Sequence, residues 1–91
     1  MKAAGTTDVG KLAGSISKNL DELPSGQAVE VIAIGASAVN QACKSIATAS
    51  AHAASKGEEL DIKVGFLTVE VPGVSGTEER TALKFVIRYK D

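Results

Sequence analysis

Large aromatic side chains are nearly absent from this chain of 91 residues, which has no tryptophan, one tyrosine and two phenylalanines. Its core must therefore be built from valine, isoleucine, leucine and alanine, with helices lying close to the sheet. The length is that of one small domain, spanning residues 1–91. Because so light a core stabilises a small monomer only modestly, we expect a homo-oligomer, either a dimer or a tetramer.

Cysteine and histidine each occur once, which limits the available chemistry. Cys43 cannot form an internal disulfide, and its apolar neighbours favour a small buried side chain. His52 is expected to be a solvated side chain, and no metal cluster of histidine and cysteine can be assembled around it. No stretch is long and apolar enough to span a membrane, and no signal peptide is evident. We expect a cytoplasmic protein without a cofactor, a metal site or membrane association.

Residues arranged for catalysis are also missing. Serine, threonine and carboxylate side chains are plentiful, but none stands in a recognisable nucleophile or acid/base arrangement. The segment from Gly73 to Gly76 lacks the Gly-Lys-Ser/Thr sequence of a phosphate-binding P-loop. The sequence therefore predicts a protein that is not an enzyme.

The chain has no excess of basic residues overall, but several of them are concentrated near its end. The net charge of −1 argues against a strong non-specific DNA-packing protein. The basic residues near the C-terminus all have even numbers, which places them on one face of a strand: Arg80, Lys84, Arg88 and Lys90. The opposite face carries Leu83, Phe85, Ile87 and Tyr89. This alternation predicts a strand with one core face and one basic face, the latter either functional or simply solvated.

The rest of the chain alternates strand and helix patterns. Apolar spacing predicts a short edge strand within residues 1–5 and helices over 9–23 and 37–55, the first capped by Thr7 or Asp8. Strands are predicted over 28–34, 62–71 and 80–90, with a glycine-rich connection over 72–79. The order βαβαββ predicts a two-layer α/β sandwich, a four-stranded mixed sheet with both helices on one face.

The junction at Gly35 is the most informative local feature. The apolar strand stops at this glycine, and a helical segment begins with almost no linker. Backbone N–H groups at such a helix start carry partial positive charge and can hold an anion such as a phosphate. The alternative is that Gly35 only makes a tight turn and Ser37 only caps the helix.

Two motifs resemble a known family. The segments Ile32-Ala-Ile-Gly-Ala-Ser-Ala-Val-Asn-Gln-Ala-Cys-Lys-Ser-Ile46 and Gly76-Thr-Glu-Glu-Arg-Thr-Ala-Leu-Lys84 look like those of the bacterial stage V sporulation protein S family. That family is related to Alba, the archaeal chromatin proteins that bind DNA and RNA. The resemblance covers nearly the whole chain. It implies the Alba-like fold, with sheet order one-two-four-three and the fourth strand antiparallel to its neighbours.

The resemblance implies a non-enzymatic regulatory protein that binds DNA or RNA weakly or selectively. If the protein binds nucleic acid, its residue types predict a contact surface that combines the start of the second helix with the base of the last hairpin: Gly35, Ser37, Asn40, Lys44 and Arg80. The alternative is a protein-interaction or scaffold module of a sporulation or septation pathway that does not bind nucleic acid. This alternative fits the loop Gly5-Thr-Thr-Asp8, which lacks the lysines of archaeal Alba, and the acidic hairpin around Glu78 and Glu79.

Overall fold

A computed structural model describes all residues from 1 to 91 and shows one four-stranded sheet covered by two helices. The elements are β1 (Lys2–Ala3), α1 (Val9–Glu22), β2 (Val29–Ala33), α2 (Ala36–Ser55), β3 (Leu60–Gly73) and β4 (Gly76–Tyr89). The sheet order is β1-β2-β4-β3, in which β1 and β2 are parallel and β4 is antiparallel to both of its neighbours. The predicted βαβαββ sandwich, with both helices on one face, is confirmed.

The core lies between the helices and the two central strands. Ile16 of α1, Val31 of β2 and Ile87 of β4 are completely buried at its centre. On β4 the predicted alternation is confirmed, because Phe85 and Ile87 are buried while Leu83 and Tyr89 pack against the core from its margin. Helix α2 contacts the core through Ile46 and Val39, but most of its buried side chains are small, which lets the helix lie close to the sheet: Ala38, Ala42, Ser45, Ala49 and Ala53.

Helix α1 begins beside a capping residue and ends beside a proline, the two signals that mark its ends in the sequence. The Asp8 carboxylate accepts a hydrogen bond from the Lys11 backbone N–H at 2.9 Å, which satisfies one free donor of the first turn. At the other end Leu23 leaves the helical conformation directly before Pro24. Of the two predicted capping residues, Asp8 therefore caps the helix, whereas the Thr7 hydroxyl accepts from the Ala4 N–H.

The prediction that Cys43 is buried is wrong, because its side chain is exposed. Helix α2 carries small apolar residues on all sides, so apolar neighbours in the sequence do not identify its inner face. Ser45, two positions beyond Cys43, is fully buried, and its hydroxyl donates to the Gln41 carbonyl at 2.8 Å. Burial of this polar side chain is tolerated because its donor has a partner.

The prediction of a long connection over 72–79, followed by a strand from Arg80, is also wrong. Strand pairing continues up to the pair Gly73–Gly76, so only Val74 and Ser75 form the turn. Pro72 is tolerated because β3 is an edge strand, where a proline removes no necessary hydrogen bond. Gly76 adopts a φ of 122°, which side-chain-bearing residues rarely adopt, and this conformation permits the tight reversal.

The distal part of this hairpin extends beyond the rest of the sheet. Strand β2 pairs with β4 only between Leu83 and Ile87, so residues 67–73 and 76–82 pair only with each other. These two segments are called the arm below. The arm makes the molecule long and narrow, with extents of 50 × 24 × 18 Å.

Candidate nucleic-acid interface

The backbone conformation of Gly35 leaves free space in front of the first residues of α2. This residue precedes the helix with φ 86° and ψ 160°, a backbone conformation that strongly favours glycine. A Cβ placed on Gly35 would meet no atom within 4 Å, so the residue faces free space. The helix begins at Ala36 and no side chain caps it. The expectation that Ser37 caps the helix is therefore wrong, because Ser37 is already the second residue of the helix.

Three of the predicted site residues share one face of α2. Ser37, Asn40 and Lys44 are all exposed, and their spacing of three and four residues places them in one row along the helix. The first turn carries no acidic residue that would neutralise the partial positive charge of the helix start. The structure thus brings together Gly35, two neutral hydrogen-bonding side chains and one lysine.

The loop after β1 packs against this helix start. A Cβ on Gly5 would lie 2.9 Å from the Cβ of Ser37, so only glycine permits this close approach. The Gln41 side chain donates to the Thr7 carbonyl at 2.8 Å and ties the same loop to α2. The start of α2 is therefore a fixed junction of two chain segments.

A groove of about 300 Å³ lies beside this junction. It is lined mainly by apolar side chains of β2, the residue after it, α2 and the arm, among them Ile32, Ile34, Ala38 and Val69. Lys2 also lines this groove, which places a second lysine near the helix start. Sequence reasoning did not include Lys2 in the site. The signal that could have found it is the parallel pairing of β1 with β2, because both strands then end at the same edge of the sheet.

Arg80 lies apart from the other predicted site residues. It does not open β4 but stands within the arm, directly opposite Val69. Its guanidinium group lies 4.0 Å from the Glu78 carboxylate, and both side chains are about half exposed. Val69 lines the groove beside Ala38, so Arg80 is one strand removed from the α2 junction.

The arm carries more negative than positive charge. Glu70 and Glu79 lie directly opposite each other in the strand register. Neither of them forms an ion pair, whereas Glu78 is close to Arg80. Two facing carboxylates repel each other and also repel phosphate. This part of the arm is therefore poorly suited to contact a nucleic-acid backbone.

The other predicted basic side chains of β4 are partly engaged within the molecule. The Arg88 guanidinium donates to the Gly26 carbonyl at 3.3 Å, and Lys90 lies beyond the strand, 3.3 Å from the Glu59 carboxylate. Lys84 is half-buried on the face of the sheet that the helices do not cover. Together with Arg80, which lies beside Glu78, three of the four predicted basic residues therefore already have partners, and Lys84 has none.

No other constellation in the molecule suggests a different chemistry. No group of three histidine, cysteine or carboxylate side chains lies close enough together to hold a metal ion. Neither helix combines the length and apolar character needed to cross a membrane. The clearly shifted pKa values belong to Asp21 and Tyr89, which bond each other at the far ends of α1 and β4.

Comparison with known proteins identifies the family and the fold of this chain. The sequence matches the family described as Stage V sporulation protein S (SpoVS) over residues 1–90. The chain belongs to the SpoVS family. Among solved structures, this SpoVS protein is similar to Alba from Thermoplasma volcanium, with a TM-score of 0.65. The alignment covers 97% of this chain and 99% of the Alba chain, at 9% sequence identity. At that identity the likeness establishes the shared Alba fold of this SpoVS chain.

Proposed function

We propose that this SpoVS protein is a non-enzymatic, sporulation-related regulator that binds DNA or RNA weakly or selectively as a single Alba-like domain. The surface we assign to this binding is the start of α2 with Gly35, Ser37, Asn40 and Lys44, supplemented by Arg80 from the arm. The family membership and the Alba-like fold support the proposal.

The observation that carries the proposal is the uncapped and unneutralised start of α2. Gly35 leaves free space in front of the first N–H groups, so a phosphate can approach the helix end closely. Ser37 and Asn40 can donate hydrogen bonds to phosphate or sugar oxygens, and Lys44 supplies charge on the same face. Contacts of this kind are made to the sugar-phosphate backbone, so the part of the binding that they supply is expected to depend little on base sequence.

A second candidate function is supported by the acidic arm. The facing pair Glu70–Glu79 and the fully exposed Val74 at the turn suit a protein surface better than a phosphate backbone. In this alternative the chain is a protein-interaction or scaffold module of a sporulation or septation pathway. For either function we propose a cytoplasmic homo-oligomer, a dimer or a tetramer, because the core is small and poor in aromatic residues.

The deciding experiment is a binding titration with single- and double-stranded DNA and RNA at two salt concentrations. Phosphate contacts release counterions, so nucleic-acid binding must weaken as salt rises. The double variant Lys44→Ala/Arg80→Ala is expected to bind all sequences more weakly, and its salt slope is expected to fall by about 2, roughly one per lost phosphate contact.

A matched control removes the same amount of charge elsewhere. Lys18→Ala/Lys90→Ala deletes two exposed lysines that pair with Glu22 and Glu59. This control is expected to keep the parent salt slope. If the two double variants bind alike, the assigned surface is wrong. If the parent protein does not bind any of the four nucleic acids at low salt, the interaction module is the better account.

A further inference from the structure

The first half of β3 exposes an apolar surface that the helices do not cover. Ile62, Val64 and Phe66 are 37%, 58% and 81% exposed. In the strand register they lie opposite Ile87, Phe85 and Leu83, respectively, whose side chains point into or against the core. Because directly opposed residues share a face, the three exposed side chains point to the helix side of the sheet, beyond the edge of the helix layer.

The exposure of an aromatic side chain on β3 is unusual in a chain with so few aromatic residues. Phe66 is one of only two phenylalanines, yet it is the more exposed of the two, since Phe85 is buried. Strand β3 is also an edge strand, so its outer N–H and C=O groups have no partner within the sheet. Natural edge strands are protected from pairing by charges, prolines or bulges. On the helix-side face no charge interrupts the positions Leu60, Ile62, Val64, Phe66 and Thr68.

The sequence of this edge is complementary to itself. If two copies pair antiparallel about a two-fold axis at Val64, Ile62 of each copy lies opposite Phe66 of the other, and the two Val64 side chains face each other. On the other face Lys63 lies opposite Gly65, so no like charges oppose each other. Three pairs of exposed apolar side chains are thereby matched, all on the helix side.

Neighbouring registers are less favourable. An axis at Lys63 opposes two lysines, and an axis at Gly65 places Ile62 opposite Thr68. An axis at Ile62 places Phe66 opposite Glu58, and an axis at Phe66 places Ile62 opposite Glu70. The residue pattern therefore selects the axis at Val64.

We propose that residues 60–68 of β3 are the interface with a second copy of this chain, which pairs edge to edge about Val64 into a continuous eight-stranded sheet. This inference rests on the proposed self-association and does not depend on nucleic-acid binding. The free backbone groups of the edge supply the hydrogen bonds, and burial of the apolar row supplies the driving force.

The first test measures the oligomeric state by analytical ultracentrifugation. Val64→Lys is expected to convert the assembly to a smaller species, halving the mass of a dimer, because it places two facing lysines in the interface. Lys63→Ser, next to it on the opposite face of the strand, is expected to leave the mass unchanged. Circular dichroism shows whether each variant retains its fold. If the folded Val64→Lys variant keeps the parent mass, the inference is overturned.

A second test reads the register by disulfide formation in a Cys43→Ser background. In the proposed register the two copies of residue 64 have Cα atoms about 4.5–5.5 Å apart, which lies within the range of a disulfide. Val64→Cys is therefore expected to form a covalent dimer under mild oxidation. Thr68→Cys, on the same face, would have its two copies roughly 25 Å apart and is expected to stay unlinked.

The outcomes separate this inference from the broader proposal. Covalent dimers of Val64→Cys alone support the axis at Val64. An oligomeric parent protein without this cross-link, or with equal cross-linking of Thr68→Cys, overturns the interface but leaves self-association standing. A parent protein that is monomeric at tens of micromolar, a concentration at which dimers of roughly micromolar affinity form, overturns both.

Discussion

Tyr89 of β4 donates its hydroxyl hydrogen to the Oδ1 atom of Asp21 on α1, which joins the end of the last strand to the end of the first helix. The other carboxylate oxygen, Oδ2, lies 3.6 Å from the ammonium group of Lys56, the residue that directly follows α2. Three elements therefore meet at one carboxylate. The hydrogen bond from Tyr89, followed by the charge of Lys56, holds the pKa of Asp21 below its usual value.

The same hydrogen bond raises the pKa of Tyr89 to about 12, and partial burial adds to the shift. Tyr89 is the only tyrosine and the chain has no tryptophan, so the near-ultraviolet absorbance of tyrosinate reports this one group. We expect a spectroscopic titration of the folded protein to give a midpoint well above the ordinary value of 10.0.

Asp21→Asn is the matching variant, because it removes the negative charge but retains a side chain of the same size. Its tyrosine midpoint is expected to move back toward 10.0. Equal midpoints in the parent and the variant would show that the carboxylate does not control this titration.

Alkaline stability should follow from the same contact. The pKa of Tyr89 is raised in the folded state, so the folded protein holds this proton more tightly than the unfolded chain. The stabilisation is fully present below pH 10.0 and is lost as the pH rises toward about 12. Urea unfolding at a series of pH values is expected to show this decline, and Tyr89→Phe is expected to show a smaller one. If the free energy of unfolding falls equally with pH in the parent protein and in Tyr89→Phe, the contact between Tyr89 and Asp21 does not cause the decline.

The conformation of Gly35 predicts opposite effects for two glycine substitutions. Gly35→Ala is expected to destabilise the fold by about 1–3 kcal/mol, because alanine is strained at a φ of 86° even though the space around it is free. Gly14→Ala is expected to stabilise it by roughly 0.5–1 kcal/mol, since Gly14 lies inside α1 with no atom near its Cβ position. Chemical denaturation measures both, and a stabilising Gly35→Ala would refute the assigned strain.

The facing carboxylates of the arm predict a stabilising charge reversal. Glu79→Lys turns the repulsion with Glu70 into an attraction across the strands, for a gain of roughly 0.2–1 kcal/mol that shrinks as salt rises. Glu78→Lys, the adjacent position, loses its contact with Arg80 and faces Val71, so no gain is expected. Thermal unfolding at low and high salt distinguishes the two. If both variants change the thermal stability equally, the repulsion between Glu70 and Glu79 does not affect the stability of the fold.

Sequence signals predicted the structure correctly where the residues that determine it lie close together in the chain. Asp8 caps α1, Pro24 follows its end, and the alternation from Leu83 to Tyr89 orients β4 correctly. The sequence also located the junction at Gly35 and the row of Ser37, Asn40 and Lys44, because helix periodicity alone places these residues on one face.

Other features could not be predicted because partners distant in the chain create them. Pro72, Gly73 and Gly76 are typical loop residues, but pairing between β3 and β4 continues through them, and this extends the arm. Cys43 is exposed and Ser45 buried because the position of the sheet selects one side of an alanine-rich helix whose sides look alike in sequence. Arg80 is separated from the α2 junction because it belongs to the arm, where β4 pairs only with β3.

The sequence by itself determined the order of helices and strands, the light core and the open helix start at Gly35, because each depends on residues close together in the chain. Only the tertiary structure decided that Lys2 lies beside the start of α2, that Tyr89 bonds Asp21 and that Phe66 lies uncovered at an edge. The physical reason is that strand register and helix placement are set by the packing of the whole core. A side chain's surroundings then depend on residues dozens of positions away.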